Sequence, residues 1–304
     1  MSGHRVSVVI PTYYRHEALR HTLDCLARQT VPPCEIWVVD QTPVAEVPPD
    51  FYRPWDDGRL HLLFQAEPSL TRSRNEGATR AGGDWLWFLD DDMSFGPELL
   101  ATFLRVQDQE RADAVYGGVS EREQMPERYP RDLRRLDPVS YFLKSPNCRW
   151  QGMVLAVTGA NLLVRRETFL RTGGFDPNLP RMEDIELGYR LFRAGARIWY
   201  SDEPFARHVR AAQGGTRRTQ PDPVAVKLFS KIYLHRKHFP GWATTQYLLQ
   251  VSLSALLFRN VLDGSPNLRN WRNPLYPLQS WMKIWKANAR ARRLAPKPFE
   301  FTKP

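Results

Sequence analysis

The chain has 304 residues, 42% of them hydrophobic and 25% charged, which is enough for one large or two modest domains with a real core. Its three cysteines, Cys25, Cys34 and Cys148, are odd in number and lack metal-type spacing, which argues against a disulfide framework and fits a reduced cytoplasmic protein. The net charge of +10 is unevenly spread: from Phe205 onward 18 Lys or Arg face 3 Asp or Glu, a net of +15, whereas the first 204 residues carry 25 against 30, a net of −5. A basic tail points to an anionic partner, whether phosphate, nucleic acid or an acidic membrane. Charged residues flank Val6–Ile10, which is too short for a signal core and reads as a first strand.

From that strand the chain alternates. Leu19, Leu23 and Leu26 recur at helical spacing, and Glu35–Asp40 is a second apolar run. Arg59–Ala66 is a further strand, and Ser69 caps a helix that reaches about Ala81 before Gly82-Gly83. Asp84–Leu89 follows as a strand, and Pro97 opens the next helix. This rhythm predicts an α/β fold with a mostly parallel central sheet and flanking helices. Ligands in such sheets bind beyond the strand C-termini, so Pro11-Thr12, Asp40 and Asp90–Asp92 should line one crevice. Ala114–Val119 is another strand. The stretch from Glu121 to Gln151 is a long polar loop, and Val154–Val164 is apolar around a Gly159-Ala160-Asn161 turn. Glu183-Asp184 opens a helix with Leu187, Leu191 and Phe192 on its apolar face, and Arg197–Ser201 reads as an edge strand. Beyond Pro204 the chain predicts helices over Val224–Phe239, Trp242–Leu262 and Ser280–Arg293. Tyr247–Phe258 is too short and too polar to span a membrane, so it packs on the core or lies at a membrane surface.

Asp90, Asp91 and Asp92 follow the bulky run Trp85–Leu89. Three carboxylates at the end of a buried strand repel one another and resist desolvation, so they call for a cation. A hard divalent ion, Mg²⁺ or Mn²⁺, takes oxygen ligands and also holds substrate phosphates. The competing reading is a solvated acidic turn.

Val8-Val9-Ile10-Pro11-Thr12-Tyr13, Val38-Val39-Asp40, Arg72-Ser73-Arg74-Asn75 and Phe88-Leu89-Asp90-Asp91-Asp92 come in a fixed order, followed by Gly173-Gly174-Phe175-Asp176, Glu183-Asp184-Ile185-Glu186-Leu187 and His208. Over roughly Val6 to Val209 this order resembles the family 2 glycosyltransferases. The resemblance implies the GT-A (nucleotide-diphospho-sugar transferase) fold, a nucleotide-sugar donor, a divalent metal and inversion at the anomeric carbon. It implies further that Asp92 contacts the metal with His208 completing its shell, and that Asp90 and Asp91 orient ribose and sugar. Asp40 would read the base, above a floor of Pro11, Thr12 and Tyr13. One of Arg72 and Arg74 would pair with diphosphate or Asp40, the other being a surface charge. Asp184 aligns with the family's general base, with its ionised form favoured at a helix N-terminus. Glu183 competes for that role or holds the acceptor. Gln213–Arg218 would be a mobile loop in which Arg217 closes over the diphosphate, or else a flexible basic linker. Gln41-Thr42-Pro43 departs from the family pattern after Asp40 and leaves the nucleotide open.

The domain reading is a GT-A catalytic domain over 1–209, with a nucleotide-sugar half to about 120 and an acceptor half over 121–209. A flexible Gly/Arg loop and a basic amphipathic helical extension then occupy 210–304. Trp281, Ile284 and Trp285 sit near one face of the last helix among Lys and Arg, which makes it a candidate for an anionic membrane surface; packing on the core or a second subunit is the alternative. The missing Gly-x-Gly-x-x-Gly disfavours a dinucleotide-binding dehydrogenase, and with no recognisable nucleic-acid motif no nucleic-acid partner is expected. The sequence thus predicts a metal-dependent inverting glycosyltransferase using Mn²⁺ or Mg²⁺. It would act on a glycan or lipid-linked acceptor, with a polyprenyl phosphate as the runner-up, in the cytoplasm or on the inner face of the membrane; a non-catalytic nucleic-acid- or glycan-binding protein is the alternative of another class.

Overall fold

The first four apolar runs become parallel strands whose C-terminal ends converge on one edge. The computed structural model describes residues 4–124, 151–154, 157–209, 211, 214–215, 222–262, 270 and 273–294. They fall in two compact units, one built from Met1–Tyr129, Leu143–Pro177 and Glu183–Thr219, the other from Pro130–Phe142, Asn178–Met182 and Gln220–Pro304.

In the first unit β1 (Val6–Thr12), β2 (Glu35–Asp40), β3 (Leu60–Phe64) and β4 (Trp85–Leu89) lie parallel in the order β3-β2-β1-β4. The chain leaves β1 through α1 (His16–Ala27) to one side and returns after α2 (Leu70–Arg80) to the other. The order therefore reverses between β1 and β4, which opens a crevice at their carboxyl ends. Alternation along the strands fills two cores. Val6, Val8, Ile10, Trp85, Trp87 and Leu89 pack on one face, and Val9, Leu86 and Phe88 on the other. Both strands are buried throughout, which is why they read as continuous apolar runs. Leu19, Leu23 and Leu26 turn into the core, and Ser69 caps α2 by accepting the Arg72 N–H.

The rest of the sheet is mixed. It adds β5 (Met93–Ser94), β6 (Ala114–Ser120), β7 (Gln151–Met153), β8 (Asn161–Arg165) and β9 (Ile198–His208). β8 runs antiparallel between β4 and β6, while β9 runs parallel to β6 and antiparallel to β5 and β7. The segment expected as an edge strand is thus an interior one, more than twice as long as anticipated. Asp202, Glu203 and Pro204 in its middle hid its continuity. α3 (Leu99–Glu110) starts two residues after Pro97, and α4 (Arg166–Arg171) and α5 (Glu183–Arg193) belong to the same unit.

Among the described residues the second unit packs three helices, α6 (Pro223–His238), α7 (Gly241–Leu256) and α8 (Tyr276–Leu294). Asp222 caps α6 through the N–H groups of Val224 and Ala225 at 3.1 and 3.0 Å, ahead of Pro223 in the first turn. Leu228, Phe229, Ile232 and Tyr233 meet Tyr247, Val251 and Ala255 of α7 and Ile284, Ala287 and Ala291 of α8. Ile284 is therefore a core residue, and only Trp281 and Trp285 of the expected face point outward. α7 ends at Leu256, short of the expected Leu262. Among the described residues no helix is long and apolar enough to cross a membrane.

Candidate active site

The acidic triplet lies where β4 ends, at the reversal of strand order. Asp91 and Asp92 are buried and Asp90 is half-buried, so the triplet is no solvated turn. Its charge is answered first by side chains. Arg15 Nη1 donates to Asp91 Oδ1 at 3.1 Å and to Asp92 Oδ2 at 3.0 Å. Arg74 Nη2 donates to Asp90 Oδ1 at 2.8 Å, and Thr12 Oγ1 donates to Asp91 Oδ2 at 2.8 Å. Burial pushes Asp91 up to about 7 against the pull of Arg15. Burial also opposes ionisation of Asp92, but contacts with His208, Arg15 and the Ala211 N–H outweigh it and hold that carboxyl below the usual range.

His208, at the end of β9, is brought in by pairing with Met93. Its Nε2 lies 2.7 Å from Asp92 Oδ1, yet that oxygen is buried without an aligned hydrogen-bond donor. The contact with Asp92 holds His208 above its ordinary value. Ligand atoms of Asp90, Asp92 and His208 lie within 4.8 Å of one another. Two carboxylates and one imidazole, three oxygen and nitrogen donors in close reach, are a set that could hold a divalent cation.

Arg74 carries the constellation across the crevice. It is 2% exposed, and while Nη2 holds Asp90, Nη1 donates to Glu183 Oε1 at 3.2 Å. Its guanidinium lies 5.2 Å from the centre of the Phe175 ring. A Cβ at residue 159 would stand 2.4 Å from Nη1, so the turn before β8 needs glycine for this arginine to pass. Asn75, next along α2, pins the Gly173–Asp176 turn: its Nδ2 donates to Phe175 O and its Oδ1 accepts the Phe175 N–H, both at 2.8 Å.

Asp184, half-buried at the start of α5, accepts the Ile185 N–H at 2.8 Å and the Gly159 N–H at 3.3 Å. Those bonds and Arg74 favour the charged form, but burial is the larger effect and raises Asp184. The expected dominance of the helix N-terminus is therefore reversed. Glu183 is raised as well, by burial first and by the Asp184 charge second. A carboxyl raised on folding stabilises the fold in its neutral form. That stability is complete below its unfolded value of about 4.5 and is lost as pH rises through the higher folded value. We expect Glu183→Gln to remove a decline in unfolding free energy between about pH 4.5 and neutrality, read as the wild-type-minus-mutant difference in urea titrations; a pH-independent difference would show that Glu183 is not raised.

Other expected residues fall differently. Asp40 is fully buried, with His16 Nε2 at 2.8 Å and Tyr52 OH at 2.7 Å on Oδ2, and Thr42 N at 2.8 Å on Oδ1. It offers no open oxygen to a base, and neither Arg72 nor Arg74 pairs with it. Arg72 is the surface charge, joined to Glu67 at 3.3 Å. Pro11 and Thr12 are buried within β1 and only Tyr13 is partly exposed. Gly214 and Gly215 have φ of +82° and +61°, and the Gly215 N–H donates to Tyr13 O at 2.8 Å. These glycines therefore serve close packing on Tyr13–Arg15 as well as turning. Arg217 lies outside the described residues.

The description "Glycosyl transferase family 2" matches residues 7–172, more than half of the chain. The chain belongs to that family. The validoxylamine A glucosyltransferase of Streptomyces hygroscopicus subsp. limoneus is 31% identical over 226 residues, covering 65% of this chain and 50% of the relative. The chain thus spans about half the length of that relative. The glucosyl-dolichyl phosphate glucuronosyltransferase of Haloferax volcanii is 28% identical over 224 residues, covering 67% of this chain and 69% of its own. Among solved structures, GalNAc-T7 with UDP, GalNAc and Mn²⁺ superposes with a TM-score of 0.60 at 17% identity, over 83% of this chain and 51% of that one. The mixed sheet with flanking helices is the GT-A fold.

Sequence reasoning left out Arg15, His16 and Tyr52 and gave Asn75 no role. Arg15 had a signal, since a cation directly after the first strand's end faces the same crevice as the triplet. Tyr52 lies in the irregular segment between β2 and β3, where no periodicity marks it.

Proposed function

We propose that this protein is a glycosyltransferase, metal-dependent and inverting, that moves a sugar from a nucleotide-sugar to a glycan or glycolipid acceptor with Asp184 as general base. The observation that carries the reading is the bridge by Arg74, one buried guanidinium joining Asp90 of the triplet to Glu183 beside Asp184. It sets a carboxylate–imidazole cluster and a raised carboxyl pair in one crevice. GalNAc-T7 carries UDP and Mn²⁺ on the same fold, which supports a nucleoside diphosphate and Mn²⁺ or Mg²⁺ here. Asp90, Asp92 and His208 would hold the ion, which when bound supplies Lewis-acid stabilisation of a diphosphate leaving group.

Asp184, once ionised, takes the proton of the acceptor hydroxyl. The acceptor oxygen bonds to the anomeric carbon from the face opposite the leaving group, and the bond from that carbon to the diphosphate oxygen breaks with its electron pair. A raised carboxyl is a stronger base than an ordinary one, which suits this step. Arg74 keeps Glu183 and Asp90 in register, and Arg15, which holds Asp91 and Asp92, would add positive charge beside a bound diphosphate. Tyr13 offers the partly exposed ring for the base, while Asp40 braces His16 and Tyr52 behind it. A polyprenyl-phosphate acceptor is the second reading, favoured by the name of the Haloferax relative. Its phosphate is already ionised and needs no base, so Asp184→Asn separates the two acceptors. A lipid-linked acceptor would place the work at an anionic membrane face in the cytoplasm.

Thermal shift with UDP, dTDP and GDP, each with and without Mn²⁺, tests the reading. A ligand at about 100 times its dissociation constant adds about 2.7 kcal/mol. We expect at least one nucleotide to raise the melting temperature in a metal-dependent way, and Asp92→Ala to abolish the metal's contribution. Equal metal enhancement in mutant and wild type would take Asp92 out of the site.

A further inference from the structure

Helix α7 is built the wrong way round for a helix facing water. Its buried side carries Thr244, Tyr247, Val251, Ser254 and Ala255. Its outward side carries Trp242, Leu249, Leu253 and Leu256, which are 70, 67, 56 and 62% exposed. Their spacing follows a single helical stripe. α8 repeats the pattern: Ser280, Ile284, Ala287 and Ala291 are buried, while Leu278, Trp281, Met282 and Trp285 are exposed. Monomeric proteins rarely leave apolar side chains in such groups to solvent, and large exposed patches mark interaction sites.

The charge around these stripes selects the occupant. α7 has no charged residue at all, and α8 has five cations and no acid. Lys283 is joined to Asp222 at 2.9 Å, while Lys286, Arg290, Arg292 and Arg293 are exposed. Across residues 220–304 there are 14 Lys or Arg against 3 Asp or Glu. A second copy would bring like charges together, which disfavours self-association. An anionic bilayer matches both properties, since it takes Trp and Leu at the headgroup boundary and attracts the flanking cations. Neither helix is long and apolar enough to cross it.

We infer that the outward faces of α7 and α8 dock this enzyme on an anionic lipid surface, lying in the interface plane. The inference deepens the proposed function, because a lipid-linked acceptor is met at such a surface. Vesicle binding and nucleotide response are separate readouts, so either idea can fail alone.

The test is co-sedimentation of the full chain with vesicles of equimolar phosphatidylglycerol and phosphatidylcholine, against phosphatidylcholine alone. Wild type should pellet with the anionic vesicles, less so as salt rises, with a blue shift of tryptophan emission. Leu249→Gln with Leu253→Gln, and separately Trp281→Gln with Trp285→Gln, should each weaken binding about tenfold or more. Arg292→Gln with Arg293→Gln should weaken it roughly 30-fold at low salt. All six positions are exposed, so each variant should keep the wild-type melting temperature and nucleotide response. Three results would overturn the inference: no binding of wild type to anionic vesicles, equal binding by the leucine variant, or a concentration-dependent dimer that the leucine variant dissolves. The last would make the face a contact between copies.

Discussion

Asp184→Asn should reduce the transfer rate by about 10²–10⁴-fold while leaving nucleotide affinity near that of wild type. The amide keeps the size of the side chain, and its one oxygen can still accept the Ile185 N–H that Asp184 Oδ1 accepts at 2.8 Å, so the start of α5 stays in place, while the longer 3.3 Å contact of the Gly159 N–H with Oδ2 is given up. It cannot take a proton at neutral pH. The loss should fall on kcat, since the acceptor and donor contacts are not removed. A further signature separates base loss from distortion. Wild-type kcat should decline on the acid side as Asp184 is protonated, with a limb displaced upward from the ordinary carboxylate range, and the residual activity of the variant should lack that limb. A variant with more than half of wild-type kcat would move the base to Glu183, or indicate an acceptor that arrives already ionised.

Arg74→Ala should be the most damaging single change to the fold of the site. Removing one partner of a buried ion pair costs about 3–5 kcal/mol, because the charge left behind stays desolvated. Here Asp90 and Glu183 lose the same partner at once, and the packing over Phe175 goes too. At about 2–4 °C per kcal/mol for a domain of this size, the melting temperature should drop by about 10 °C. Adding Glu183→Gln to the mutant should recover part of the loss, since the amide is far cheaper to bury unpaired than a carboxylate. That non-additivity is the direct reading of the pair. A mutant melting within about 2 °C of wild type would show that Arg74 does not carry the bridge.

The two predictions rest on parts of the molecule that were unequally legible. β1, β2 and β4 were readable because parallel strands buried on both faces become unbroken apolar runs. The site's strand-end positions followed, since a parallel sheet places Thr12, Asp40 and Asp90 on one edge whatever the details. The need of the triplet for positive charge was legible too. Its source was not. A chain gives no distance between Arg15 and Asp92, 77 positions apart, or between Arg74 and Glu183, 109 apart. The cation expected from solution thus arrives in part from the chain itself, through Arg15 on Asp91 and Asp92, Arg74 on Asp90 and His208 on Asp92. Periodicity also located helix α7, but a helix with a stripe on each side does not reveal which one is buried. Only the packing against Phe229 and Tyr233 in the second unit decides it.

Consumption of nucleotide-sugars tests the central claim most directly. Purified full-length chain would be incubated with UDP-, dTDP- and GDP-sugars in the presence of Mn²⁺, and free nucleoside diphosphate would be measured over time. We predict that one donor class is consumed, by slow hydrolysis alone and faster once an acceptor is supplied, that EDTA stops it, and that Asp92→Ala abolishes it without unfolding the protein. Release of diphosphate at the same rate with EDTA, or in Asp92→Ala, would contradict the account.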